Sequence, residues 1–240
     1  QETEPPILNY AFEGNWVEKF LEIEPSYEPG THFFYDTTAT YVLSAIITKV
    51  TGEKLVDYLR DCFDGDIEAF VPHMAMSAGT MIACACKKIY MGRQSSIGPT
   101  DPQFNGIPAG GVLEEFAQAV AETTSNPSSV PMWAQIISKY PPTFLGDCKK
   151  AVEASQKMVR TWLETGMFKD DEDAEDKARN IAEWLGTHAN SAMHNRHISA
   201  KDAKAHGLKI VDLEDDNVLQ DCVLTIHHAY MASFERSQAK

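Results

Sequence analysis

The sequence predicts an α/β protein with a helical N-terminal segment and a helix-rich C-terminal half. Ile67 to Val71 is a short apolar run closed by Pro72, which reads as a buried strand. Ile89 to Gly92 reads as a second strand, and the small-residue stretch Ala78 to Lys87 between them reads as a helix. Strand, turn, helix, strand is α/β order, and beyond Pro99 the patterns become mostly helical.

Taken in order, Trp16, Val17, Phe20 and Leu21 recur at helical spacing within Asn15 to Glu24, and Pro25 and Pro29-Gly30 stop that segment. A second helix is predicted from Thr38 to Lys49, closing at Gly52, and a third from Glu53 to Arg60. The helix after Ser77 carries no charge until Lys87, so it is expected to be packed on most sides. Further helices are predicted over 109–122, 131–139, 146–166, 171–186 and 215–235, separated by Pro-, Gly- and Asn-rich turns. Ser199 to Ala205 reads as a short helix ending at Gly207, and Leu208 to Val211 as a late strand. The charge run Lys169 to Arg179 reads as a solvated helix start.

The whole chain excludes several classes. A formal net charge of -14 over 240 residues makes nucleic acid an unsuitable partner, because phosphate binding depends on Lys and Arg releasing counterions. No run reaches the roughly 18 apolar residues of a membrane span. Gln1 to Pro6 lack the basic-then-apolar order of a secretory signal, so the expectation is a cytoplasmic protein. Cys62, Cys84, Cys86, Cys148 and Cys222 show neither paired zinc spacing nor a disulfide framework. Free thiols are expected, with no metal and no cofactor.

The chemistry centres on Ala75-Met76-Ser77-Ala78-Gly79-Thr80. A serine hydroxyl is a poor nucleophile until a base takes its proton and donors await the oxyanion. Placed after a strand and at a helix N-terminus, Ser77 would have backbone N–H groups and the helix dipole beside its reacting atom. Gly79 and the flanking alanines would let a substrate backbone come close.

His73-x-Ala75-Met76-Ser77-Ala78-Gly79-Thr80-x-Ile82-Ala83, followed by Ser96-Ile97-Gly98-Pro99-x-Asp101-Pro102-Gln103, resembles the serine dehydrogenase proteinase family. The resemblance continues through Lys139-Tyr140-Pro141, Trp162-Leu163 and His194-x-x-x-Ile198 to Gly207-Leu208, covering residues 67–235. It implies a Clp/crotonase-like spiral related to signal peptide peptidase A, with Ser77 as nucleophile and the N–H of Ala78 in the oxyanion hole. It also implies a homo-oligomer. The family's other oxyanion donor comes from a Gly-Gly loop upstream, whereas Gly110-Gly111 lies downstream, and the strands that should precede residue 66 are missing from the pattern.

Clp-type peptidases place their histidine base where this chain has Asp101, which could orient a partner, while signal peptide peptidase relatives use a lysine. Lys139 could serve in a pocket dry enough to lower its pKa. His194 falls on the histidine of the family-like C-terminal motif and would titrate in the useful range. His73 would shape the pocket across the Pro72 turn.

Residues 15–60 resemble a different family. Glu28-Pro29-Gly30-Thr31-x-Phe33-x-Tyr35-Asp36-Thr37, with Val50-Thr51-Gly52-Glu53 further on, is similar to the Tyr-x-Asn region of class C β-lactamases, with Thr37 in place of the asparagine. The reading is a mosaic chain, with a β-lactamase-like segment over 1–62 and a hydrolase domain over 63–240. Its function is read as serine hydrolysis of peptide or ester bonds. The competing reading is a catalytically silent scaffold acting through oligomerisation or partner binding.

Overall fold

A computed structural model describes residues 15–24, 28, 37–104, 106–187 and 196–238. The chain divides into two compact units, residues 1–65 with 221–240, and residues 66–220. The first unit contains α1 (Trp16–Leu21), α2 (Thr37–Thr51) and α3 (Leu55–Cys62). The Asn15 side chain accepts a hydrogen bond from the Val17 N–H and so starts α1. Gly52, at φ +82°, lets the chain leave α2. The β-lactamase-like Tyr35 lies outside the described residues.

The second unit is the α/β body. Its strands are β1 (Glu68–Val71), β2 (Met74–Ala75), β3 (Lys88–Met91), β4 (Ser96–Ile97), β5 (Gln103–Phe104), β6 (Ile107–Pro108), β7 (Ile198–Ser199) and β8 (Ile210–Asp212). Its helices are α4 (Ala78–Cys84), α5 (Ala109–Ser125), α6 (Val130–Ile137), α7 (Phe144–Thr165), α8 (Ala174–Gly186) and α9 (Ala200–Ala205), and α10 (Asn217–Gln238) begins in this unit and continues into the first from Asp221. Asp216 Oδ1 accepts from the Val218 and Leu219 N–H groups and begins α10. Ser199 Oγ accepts from the Asp202 N–H and donates to the Asp202 carboxylate, fixing the start of α9.

Two three-stranded sheets organise this unit, and β5 and β6 pair separately as an antiparallel two-stranded sheet. The first has the order β1-β3-β8 and is wholly parallel, with Phe70 opposite Tyr90 and Tyr90 opposite Val211. The pleat sends Val71, Ile89 and Met91 into the core, while Phe70 and Tyr90 stack on the other face at 4.5 Å. The second sheet has the order β2-β4-β7, with Ala75 opposite Ile97 in parallel and Ile97 opposite Ile198 in antiparallel pairing. Ile97 and Ile198 face the same core, joined there by Val159 and Leu163 of α7 and by Ile181 and Leu185 of α8.

The predicted helices and the three longer strands form where the sequence places them. The expectation for α4 needs correction. Only Thr80, Ala83 and Cys84, at i, i+3 and i+4, are buried, and Ile82 is half exposed. The helix is packed on one stripe because it is less than two turns long. Ala85 and Cys86 are buried after it, in the turn that meets the end of α7. Gly166 closes that end, and a Cβ there would lie 2.7 Å from the Trp162 carbonyl oxygen and 2.9 Å from that of Ala85. Strands β2, β4 and β7 were not predicted.

Candidate active site

Strand β2 delivers the chain to Ser77, and α4 begins at the next residue. Between them the backbone at Ser77 adopts φ 48°, ψ −111°. A non-glycine residue avoids this region because Cβ crowds the neighbouring peptide, and such strain persists only where the surroundings impose it. A sharp strand-to-helix turn of this kind is how α/β hydrolases lift a nucleophilic serine clear of its sheet.

The turn is closed by backbone hydrogen bonds. Gly79 N–H donates to the Met76 carbonyl at 2.8 Å, and Met81 N–H to the Ser77 carbonyl at 3.1 Å. The Gly79 N–H is therefore committed to the turn, while Ala78, at the first position of α4, is among the N–H groups that a helix start leaves without an acceptor inside the helix. Ser77 itself is half-buried.

The elbow is bound to β4. Gly98 N–H donates to the Ala75 carbonyl at 3.2 Å, and the Thr80 hydroxyl lies within hydrogen-bond distance of Ala75 and Gly98. Gly98 is also covered by the side chain of Met76, whose Cε would be 2.6 Å from a Cβ at that position. His73, exposed between β1 and β2, accepts from the Ser96 N–H through its carbonyl at 2.9 Å.

Asp101 is buried, three residues beyond Gly98, in a segment tied to the helices on either side. Thr100 N–H donates to the Leu185 carbonyl at 2.9 Å, and Ser155 Oγ donates to the Thr100 carbonyl at 2.7 Å. Lys139 is exposed just past the end of α6, so the dry pocket that a neutral lysine requires is not formed around it. His194 lies outside the described residues. Gly110 and Gly111 sit in the first turn of α5 and do not form an open loop.

The structure adds a pair that sequence reasoning missed. Ser96 Oγ and His197 Nδ1 are 2.8 Å apart, with Ser96 buried. Ser96, Gly98 and His197 share the sheet face opposite Ile97 and Ile198, and Met76 covers Gly98 on that same face. The serine and the histidine stand 101 positions apart in sequence, so only the β4–β7 pairing brings them together.

No cluster of His, Cys, Asp and Glu suited to a metal occurs among the described residues, and none of their helices is long and apolar enough to cross a membrane. A groove of about 450 Å³ crosses α7 and α8, and its lining includes Lys157, Arg160, Glu164 and Arg179 but none of the predicted site residues. Arg160 is already engaged there by Glu164 at 2.6 Å and Glu175 at 2.9 Å.

The body of helices and small sheets is that of a ClpP-like α/β protein. The family model described as ClpP-like SDH-type serine proteinase matches residues 50–231, and the chain belongs to that family. Uncharacterized protein MJ0137 of Methanocaldococcus jannaschii is 29% identical over 166 residues, spanning 69% of this chain and 49% of that protein. Uncharacterized protein MJ1495 of the same organism is 44% identical over 46 residues, 19% of this chain and 16% of that one. The chain thus spans about half the length of the first relative and less of the second. No solved structure matches. The family match begins at residue 50, and the β-lactamase likeness of residues 15–60 finds no support in it.

Proposed function

We propose that the chain is a serine hydrolase that cleaves peptide or ester bonds through an acyl-enzyme on Ser77. The observation that carries this reading is the backbone at Ser77, φ 48° and ψ −111° between β2 and α4, a conformation with a cost and no evident structural gain. In the first step Ser77 Oγ bonds to the substrate carbonyl carbon while its proton passes to a base. The carbonyl oxygen becomes an oxyanion facing the Ala78 N–H. The leaving group takes the proton as it departs, and water then repeats the sequence to release the acyl group.

The base in this proposal is His194 or Lys139, with buried Asp101 as a carboxylate that could orient a partner. The exposure of Lys139 argues against the lysine alternative. Membership of a ClpP-like proteinase family supports a peptide substrate and assembly into a homo-oligomer. The silent-scaffold reading is favoured by Gly110 and Gly111 being helical, which leaves the second oxyanion donor to another group.

Labelling with a fluorophosphonate serine probe, followed by peptide mass mapping, tests the proposal. An adduct on Ser77 that is absent from Ser77→Ala supports it. Folded protein that takes no label favours the scaffold, and an adduct on another serine rejects Ser77.

A further inference from the structure

We infer that Thr80 is a positioning residue, a buried hydroxyl latch that holds Ser77 in its reactive backbone conformation. The inference rests on the serine-hydrolase reading of the same elbow. Thr80 has no solvent exposure. Its Oγ1 lies 2.6 Å from the Ala75 carbonyl oxygen, 2.9 Å from the Gly98 carbonyl oxygen and 3.0 Å from the Gly98 N.

A threonine hydroxyl has one proton to give and two lone pairs to accept with. Its proton is therefore shared between the two carbonyls while the Gly98 N–H donates to it. Ala75 stands two residues before Ser77, Thr80 stands three after, and Gly98 belongs to the neighbouring strand end. One hydroxyl thus joins the incoming strand, the outgoing helix and β4, and the serine is confined to the arc between the first two.

The latch works where a ladder cannot. Strand β2 has two residues and so offers little regular pairing to resist rotation at Ser77. In the protein interior a fully engaged hydroxyl is strong, and stripping its partners of it leaves buried backbone groups short of hydrogen bonds. Relaxation of φ and ψ at Ser77 would then turn Oγ relative to β2 and, through ψ, relative to the Ala78 N–H. A displacement of about 1 Å in a reacting group can cost about a hundredfold in rate.

The test compares Thr80→Val, which fills the site without a hydroxyl, with Thr80→Ser, which keeps the hydroxyl and loses the methyl. The full chain is used, and rates are corrected for the folded fraction measured by circular dichroism. The second-order rate of fluorophosphonate labelling at Ser77 should fall about 10- to 100-fold in the valine variant and return towards wild type in the serine variant. A folded valine variant that labels at the wild-type rate overturns the latch. If valine prevents folding, Thr80→Ala against Thr80→Ser reads the same hydroxyl.

If the wild type takes no label, the hydrolase reading falls, and amide hydrogen exchange over residues 75–80 decides the latch by itself. Faster exchange in the valine variant than in the serine variant upholds it. Equal exchange overturns it.

Discussion

The two three-stranded sheets of the α/β unit are built by different means. The β1-β3-β8 sheet is a regular parallel ladder of three- and four-residue strands whose inward residues, Val71, Ile89 and Met91, are almost wholly buried. The β2-β4-β7 sheet consists of two-residue strands that send only Ile97 and Ile198 fully into the core, so more of its coherence rests on single bonds, among them Thr80 to Ala75 and Gly98, and Ser96 to His197. The first sheet gains the larger share of its stability from apolar area. The second spends part of that stability on holding one serine at positive φ. Chemistry and packing are therefore separable, and substitutions in the two places should have different signatures.

The largest separation is expected at Ser77. Ser77→Ala should abolish labelling and hydrolysis with the fold intact, because the side chain is half-buried and only a hydroxyl is lost. Ser77→Gly should be equally inactive. It should also be more stable than the alanine variant by about 1 kcal/mol, reversing the usual order of the two residues, because glycine adopts positive φ without strain. Chemical denaturation of the two variants measures the difference. Alanine being the more stable would show that the elbow is not strained.

The opposite signature is expected at Gly166. A methyl group there meets two backbone carbonyl oxygens at under 3 Å, and neither can swing aside as a side-chain tip would. Gly166→Ala should destabilise by about 1–3 kcal/mol, read as a lower melting temperature, while the folded fraction keeps its labelling rate. Gly98→Ala provides the contrast. Its methyl group meets the flexible end of Met76, which can move, so stability should change little. Labelling should slow, because the displaced Met76 adjoins the nucleophile.

The same contrast explains what the sequence could tell. Helices α5, α7 and α8 and strands β1 and β3 declared themselves through periodicity and apolar runs, since long elements repeat their burial pattern. The Ser77 motif was legible through its small residues and its likeness to a known family. Strands β2, β4 and β7 were not, because two residues contain no period. The Ser96–His197 pair depends on a pairing between distant segments and leaves no local trace. Thr80 read only as one more small residue, although its hydroxyl has two carbonyls and an N–H within reach.

Thiol reactivity sharpens the comparison by a milder perturbation. Burial pushes the Cys84 thiol up to about 12, and burial also raises that of Cys148. Cys62 and Cys222 are exposed. Alkylation of the native protein near neutral pH should modify Cys62 and Cys222 and spare Cys84, Cys86 and Cys148 until denaturant is added, because the thiolate is the reacting form. Mass mapping after a short pulse checks this. Early modification of Cys84 would mean that the α4 stripe opens far more readily than its packing implies.

The smallest effect is expected at Asp171, which joins Lys177 of α8 to Lys209, the residue before β8. Its carboxyl is held below the usual carboxylate range by the hydrogen bond from Lys177 and then by that from Lys209, at 2.8 and 2.7 Å. A carboxyl lowered in the folded state contributes stability that is fully present above its unfolded pKa of about 3.9 and disappears as pH falls through the lower folded value. Asp171→Asn should therefore reduce stability slightly near neutral pH and cease to matter in acid once the wild-type carboxyl is protonated. Both lysine side chains are substantially exposed, so added salt should shrink the difference. Denaturant midpoints of the two proteins at pH 7 and in acid measure it, and a difference that persisted in acid would assign the effect to packing of the side chain and not to its charge.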